Sequence, residues 1–214
     1  MHNSVKNLLL IKDQIEKYNS NIDIIAVSKT FNQNDIMPLV EFGHMHFGEN
    51  KVQEAQDKWP KIKMQNNNIN LHMIGKLQTN KVKFAVKLFD YIHSVDNIKL
   101  AKKIAEEQKK INKDLKIFIQ INIGNEEQKS GINKSELKEF YIKCSKEYRL
   151  NIIGLMCLPP SNKNSVLYFK EMEELNKFIG LKKLSMGMSA DYLDAIKYGS
   201  SHIRIGSKIF GSRN

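Results

Sequence analysis

The sequence predicts an α/β protein folded as a single closed (β/α)8 barrel of the TIM type with an extra N-terminal helix, and three observations predict it. Short apolar segments recur eight times along the 214 residues. Between them run stretches of helical apolar spacing, several of which open on Asn, Asp or Ser. No linker, Pro/Ser-rich stretch or composition break divides the chain, so one domain over residues 1–214 is expected. Repeated strand–helix alternation implies parallel strands joined by crossovers. The length lies near the low end of the roughly 200–400 residues such barrels use, so the loops have to be tight. An open doubly wound sheet is the structural competitor, but no G-x-G-x-x-G or G-x-x-x-x-G-K-[ST] follows any apolar segment.

In order along the chain, residues 5–18 carry Val5, Leu8, Leu9 and Ile15 near helical spacing, which predicts a leading helix. The strand segments are 22–28 (IDIIAVS), 45–48 (MHFG), 70–74 (NLHMI), 90–95 (DYIHSV), 115–123 (LKIFIQINI), 151–156 (NIIGLM), 182–186 (KKLSM) and 201–205 (SHIRI). Helices are expected over 35–42 after Asn34, 51–59 after Asn50, 97–110 after Asp96, 134–147 after Asn133 and 190–198 after Ser189. Asn, Asp and Ser cap helix N-termini because their side chains accept bonds from orphan backbone N–H groups. The run QNNN (65–68) reads as a loop.

Composition narrows the function classes. No window approaches the ~18 consecutive apolar residues of a membrane span, and NLLLI (7–11) is too short for a signal-peptide core. Cys144 and Cys157 are the only cysteines and form no CxxC, which argues against a disulfide framework or a zinc site. A reduced cytoplasmic setting with no membrane partner is expected. The net charge of +11 invites a nucleic-acid reading. Against it, arginine stands only at 149, 204 and 213, and the lysines alternate with acids in KLAKKIAEEQKKINKDLK (99–116), the pattern of a solvated helix face. Nucleic acid is therefore not expected as a partner.

Strand residues of a barrel alternate between its interior and the helix layer. Lys29 shares a face with Ile25 and Val27; His72 shares one with Asn70 and Ile74; Arg204 shares one with His202 and Gly206. A Lys, a His and an Arg thus come toward the C-terminal strand ends, where barrels build their sites. On pattern alone such a lysine is more often a rim residue with a snorkelling amine, and such a histidine more often a hydrogen-bonded core residue. An inward Arg204 needs an acceptor. SMGMS (185–189) and RIGS (204–207) follow the seventh and eighth strands, where barrels often hold a phosphate on backbone N–H groups. Each glycine alone is compatible with an ordinary turn. With a lysine across the mouth, they describe a pocket for a phosphorylated carbonyl compound, since a desolvated lysine is nucleophilic and forms Schiff bases with aldehydes.

At these residues the chain resembles the pyridoxal phosphate homeostasis protein family. The resemblance is carried by AVSKT (26–30), FGEN (47–50), HMIGKLQTNK (72–81), HSVD (93–96), QINI (120–123) with KSGI (129–132), GLM (154–156), LSMGMSADYLDAIKYGS (184–200) and RIGSKIFGSR (204–213), in family order along nearly the whole chain. It implies a barrel similar to that of bacterial alanine racemase (the type III fold of pyridoxal 5′-phosphate, PLP, proteins) with the cofactor PLP on a lysine Schiff base. By motif position, Lys29 would be that lysine, and Asn50 and His72 would line the cofactor. Ser185, Gly187 and Gly206 would bind its phosphate, with the Met186 backbone nearby, and Arg204 would face the pyridine nitrogen. Gly124 stands where the family commonly has a serine, and Cys157 is a small residue expected to be buried and inert.

An arginine at that nitrogen is donor-only and disfavours a protonated ring, which weakens the ring as an electron sink. Racemising relatives of the fold take a second base, a tyrosine, from an additional β domain of a partner subunit; a chain ending at Asn214 is expected to lack one. The resemblance therefore implies a monomeric carrier in intracellular PLP homeostasis, with no catalytic residue and no metal, delivering cofactor to PLP-dependent apoenzymes without substantial amino-acid turnover. The alternative is a small racemase or lyase using the same lysine.

Overall fold

The computed structural model describes residues 1–18, 21–160 and 163–211. Ser212 and Arg213, which close the last motif, and Asn214, the end of the expected domain, lie outside the described residues.

The strands form one closed parallel barrel in sequence order. They are β1 (Asp23–Val27), β2 (His46–Glu49), β3 (Asn70–Met73), β4 (Tyr91–Val95), β5 (Lys116–Ile121), β6 (Asn151–Cys157), β7 (Lys183–Met188) and β8 (His202–Ile205). The seam is parallel, with Asp23 opposite His202 and Ala26 opposite Ile205. All of the expected segments form strands, with ends that move by a residue or two. The fifth stops at Ile121, and the seventh runs on to Met188.

The helices are α1 (Asn3–Glu16), α2 (Gln33–Glu41), α3 (Val52–Gln65), α4 (Val82–Leu88), α5 (Ile98–Lys110), α6 (Leu137–Ile142), α7 (Ser165–Phe178), α8 (Tyr192–Lys197) and α9 (Ser207–Phe210). α1 buries Val5, Leu8, Ile11 and Ile15, one stripe at helical spacing, while Leu9 falls off the stripe and is exposed. Several expected caps move. Asn32, not Asn34, caps α2, because Asn32 and Asp35 have the spacing of a reciprocal capping box. Asn97, not Asp96, accepts from Leu100 N at the start of α5. Asn50 and Ser189 are not cap residues, which leaves both side chains for other work. Asn133 does cap, but its helix is composite: a 3-10 turn, then α6, then a π segment over Lys143–Glu147.

Alternation along each strand sorts the side chains. Ile24 and Ala26 of β1, Phe47 of β2 and Ile203 and Ile205 of β8 belong to the continuous apolar layer shared with Leu8, Leu39 and Trp59 of the helices. The opposite faces line the barrel, where Tyr91, Phe118 and Met156 make a small separate cluster. Near the C-terminal mouth the interior is apolar and tight: a Cβ on Gly48 would lie 2.7 Å from Ile25 Cγ2 and 3.0 Å from Ile74 Cδ1. Deeper in, the interior is polar, with His72, His93, Ser185 and His202 all buried, and Arg204 is buried beside the mouth.

Candidate functional site

Lys29 stands two residues past the end of β1, in a turn closed by Phe31 N donating to Ser28 O. The turn is tight enough to put Thr30 at φ 69°, a region L residues seldom adopt. Three side chains hold it from behind. Lys58 of α3 donates to Ser28 O and Phe31 O, both at 2.9 Å, and to Glu54 Oε1 at 2.8 Å. Glu54 accepts from Thr30 N. Glu49, at the end of β2 and fully buried, accepts from the Ser28 hydroxyl and from Trp59 Nε1, with the Lys58 ammonium 3.0 Å away. Burial raises the pKa of Glu49, and Lys58, Trp59 and Ser28 pull it back down.

Asn50 follows β2 and packs backbone to backbone against Gly75, whose carbonyl in turn accepts from the Ser94 hydroxyl at 2.6 Å. On the far side, Arg204 Nη1 donates to Ser185 Oγ and Nη2 to Cys157 O at 2.9 Å. Those are the acceptors an inward guanidinium requires. Burial lowers the pKa of Arg204, but a guanidinium remains protonated in proteins. The Cys157 thiol, pushed up to about 12 by burial, is inert; its carbonyl is what serves the site.

Lys29, Asn50, Arg204 and Gly206 line one cavity of about 770 Å³ at the C-terminal mouth. Val27, Ile74, Leu158 and Met188 supply apolar wall, and Ser189 and Ser207 add hydroxyls. Two cations and no carboxylate stand among its described lining residues, a donor set suited to an anion with a flat apolar body. The other expected site residues lie behind this wall. His72 is buried in the barrel interior, stacked on Tyr91 with centroids 4.1 Å apart. Ser185 is buried between Arg204 and His93. Met186 packs into the strand–helix layer, and its carbonyl accepts from Ser200 Oγ at 2.7 Å. Gly187, at φ 89°, lets the chain pass α8, where a Cβ would lie 2.6 Å from Ala195 Cβ.

Several groups escaped sequence reasoning. Gly75, Ser94, His93 and Glu49 all fall inside the motifs quoted above, yet nothing in their spacing marks them as supports. Glu54 and Lys58 read as an ordinary i,i+4 helix pair, which does not foretell burial.

A closed parallel barrel with a cation-lined mouth defines a ligand-binding protein of the alanine racemase N-terminal class, and the family described as "Alanine racemase, N-terminal domain" matches residues 5–214. Among curated relatives, the pyridoxal phosphate homeostasis protein of Haemophilus influenzae is 36% identical over 227 residues, spanning 97% of this chain and 95% of the relative. That of Escherichia coli K12 is 34% identical over 230 residues, with 100% and 98% covered. The chain belongs to the pyridoxal phosphate homeostasis protein family. Among solved structures, PipY of Synechococcus elongatus PCC7942, determined with PLP bound, superposes with a TM-score of 0.89 at 29% identity, covering 97% of this chain and 100% of PipY. Alanine racemase of Clostridium difficile 630 shares the fold, with a TM-score of 0.76 at 16% identity, and this chain spans 57% of it.

Proposed function

We propose that this chain binds PLP at the C-terminal mouth and acts in intracellular PLP homeostasis, holding the cofactor reversibly on Lys29 and releasing it to apoenzymes without substantial amino-acid turnover. The observation that carries the reading is the convergence of Lys29, Asn50, Arg204 and Gly206 on one cavity that lacks a carboxylate among its described lining residues. The cofactor supplies an aldehyde that an amine can take up with loss of water, a phosphate and a flat aromatic ring. Lys29 is the amine at hand, and Gly206 with the hydroxyls of Ser189 and Ser207 lies on the wall suited to the phosphate. Ser185, Met186, Gly187 and His72 act from behind, by supporting that wall. Arg204, donor-only, can satisfy an acceptor nitrogen but cannot accept from a protonated ring. Without a carboxylate partner for that proton, the site is poor at stabilising carbanions, which favours carriage over turnover. The reading takes residues 1–214 as one domain acting as a monomer in the cytoplasm. No helix among the described residues is long and apolar enough to cross a membrane.

The test is colour and its chemistry. Purified chain mixed with PLP gains visible absorbance, borohydride bleaches it, and peptide mapping places the reduced adduct on Lys29. Lys29→Ala removes the absorbance and the adduct; retention of both would overturn the assignment. Single-enantiomer amino acids incubated with the loaded protein keep their optical rotation, and turnover above roughly 1 s⁻¹ would establish the racemase or lyase reading instead.

A further inference from the structure

A line of hydrogen-bonding side chains runs through the barrel interior from the mouth toward the opposite end. Arg204 Nη1 donates to Ser185 Oγ, and His93 Nδ1 lies 2.8 Å from the same oxygen. His93 Nε2 is 2.9 Å from His72 Nδ1, and His72 Nε2 is 3.0 Å from His46 Nδ1. His46 Nε2 then faces Asp23 Oδ1 at 3.5 Å, where β1 and β2 begin. Ser185, His72 and His93 are fully buried. Burial drives both of these imidazoles to their neutral form, helped by neighbouring histidines and, at His93, by Arg204.

A neutral imidazole has one N–H, so the line can be ordered in only two ways. In one, each histidine donates toward Ser185 from Nδ1. Ser185 Oγ then receives two donors, its own hydrogen has no described acceptor, and His46 turns a lone pair toward the Asp23 carboxylate. In the other, the Ser185 hydroxyl donates to His93, His93 Nε2–H to His72, and His72 Nε2–H to His46, leaving His46 Nε2–H pointed at Asp23. The second order satisfies both ends, since Arg204 can only donate and a carboxylate can only accept.

We propose that His93 and Ser185, backed by His72, His46 and Asp23, are positioning residues for Arg204. Their one-way hydrogen-bond order turns the lone pairs of Ser185 Oγ toward the guanidinium and holds it at the cavity wall. The carboxylate at the far end of the barrel sets that direction. The proposal rests on the PLP reading only for what Arg204 then touches. It also means that Ser185 serves the site as an acceptor for Arg204, not as a donor into the cavity.

The direct test needs no cofactor. Nitrogen-15 NMR of the full chain at pH 7 is expected to show His46, His72 and His93 neutral, each with its proton on Nε2. A proton on Nδ1 of His72 or His93, or a charged form of either, overturns the proposal. Ser185→Ala removes the first donor, so the His93 and His72 nitrogens shift, and PLP uptake weakens about tenfold, the scale of one hydrogen bond to a charged group. Ser185→Thr, which keeps the hydroxyl, restores both signals. Wild-type chain that takes up PLP while Ser185→Ala binds it as tightly as Ser185→Thr overturns the proposal. If the wild type takes up no PLP, the proposed function falls, and the tautomers alone decide the positioning role.

Discussion

A Cβ on Gly75 would lie 2.4 Å from the Asn50 carbonyl oxygen and 2.7 Å from its Cα. Backbone cannot retreat as a flexible side-chain tip can, so Gly75→Ala has to push Asn50 away from the cavity or spread β2 from β3. The expected cost is about 2 kcal/mol, within the range of overpacked core sites, read as a lower midpoint in urea. PLP uptake falls with it, because Asn50 forms part of the wall. At this scale the sequence is legible where a period of two decides the matter. Lys29 and Arg204 follow from alternation along β1 and β8, and a guanidinium forced inward announces its need for acceptors. Gly75 and His93 are illegible for the opposite reason: their importance lies in what another strand places against them, and spacing within one strand carries no such information. Ser185 shows the same limit. Its place in a glycine-rich motif suggests a phosphate contact, yet in the fold its hydroxyl lies between His93 and Arg204.

The element that matters most for Lys29 is α3, although Lys29 lies in the turn that follows β1. Lys58 reaches from α3 under the Ser28–Phe31 turn and bonds two of its carbonyls, so the helix sets the geometry in which Lys29, the proposed Schiff-base lysine, is offered. Its charge lies against Glu49, whose Oε2 has no hydrogen-bond partner among the described residues. Lys58→Met keeps an unbranched side chain one atom shorter and removes the cation. The Glu49 carboxyl, already raised by burial, then moves further up, because Lys58 is the largest of the groups that pull it down. Loss of one partner from a buried pair costs about 3 kcal/mol or more, and the turn loses two of its anchors. Thermal unfolding is expected to shift down by several degrees, and borohydride trapping on Lys29 is expected to slow. Elements themselves were largely readable, because eight apolar segments of strand length leave little choice of fold. Exceptions have local causes. α4 follows a 3-10 turn, Thr79–Lys81, and opens without a side-chain cap, so no start signal marks it. α7 does have a cap, Asn164, but follows a Pro-containing loop that hides the boundary.

For the molecule as a whole, histidines make stability depend on pH. Burial lowers His44 to about 4 and His202 to about 3, and drives His72 and His93 well below their ordinary 6.5. The unfolded chain therefore binds more protons than the folded one below about pH 6.5. Stability is complete above that value and is lost as pH falls toward the folded values, by about 1.4 kcal/mol per pH unit for each such group. Urea midpoints measured between pH 7.5 and pH 5 are expected to fall steeply. A flat profile over that window would show that the barrel interior admits protonated imidazole.

The seam between β1 and β8 joins the two ends of the binding wall, and Asn7 of α1 bonds Ile209 O of α9 beside it. Lys29 leaves the ribosome well before Arg204, from which most of the barrel separates it in the sequence. At about 5–20 residues per second, the amine waits on the order of ten seconds for the wall it faces. On the proposed reading, a nascent chain captures cofactor only once β8 has docked against β1, and capture then ties these two strands together, strengthening the closed ring by mass action.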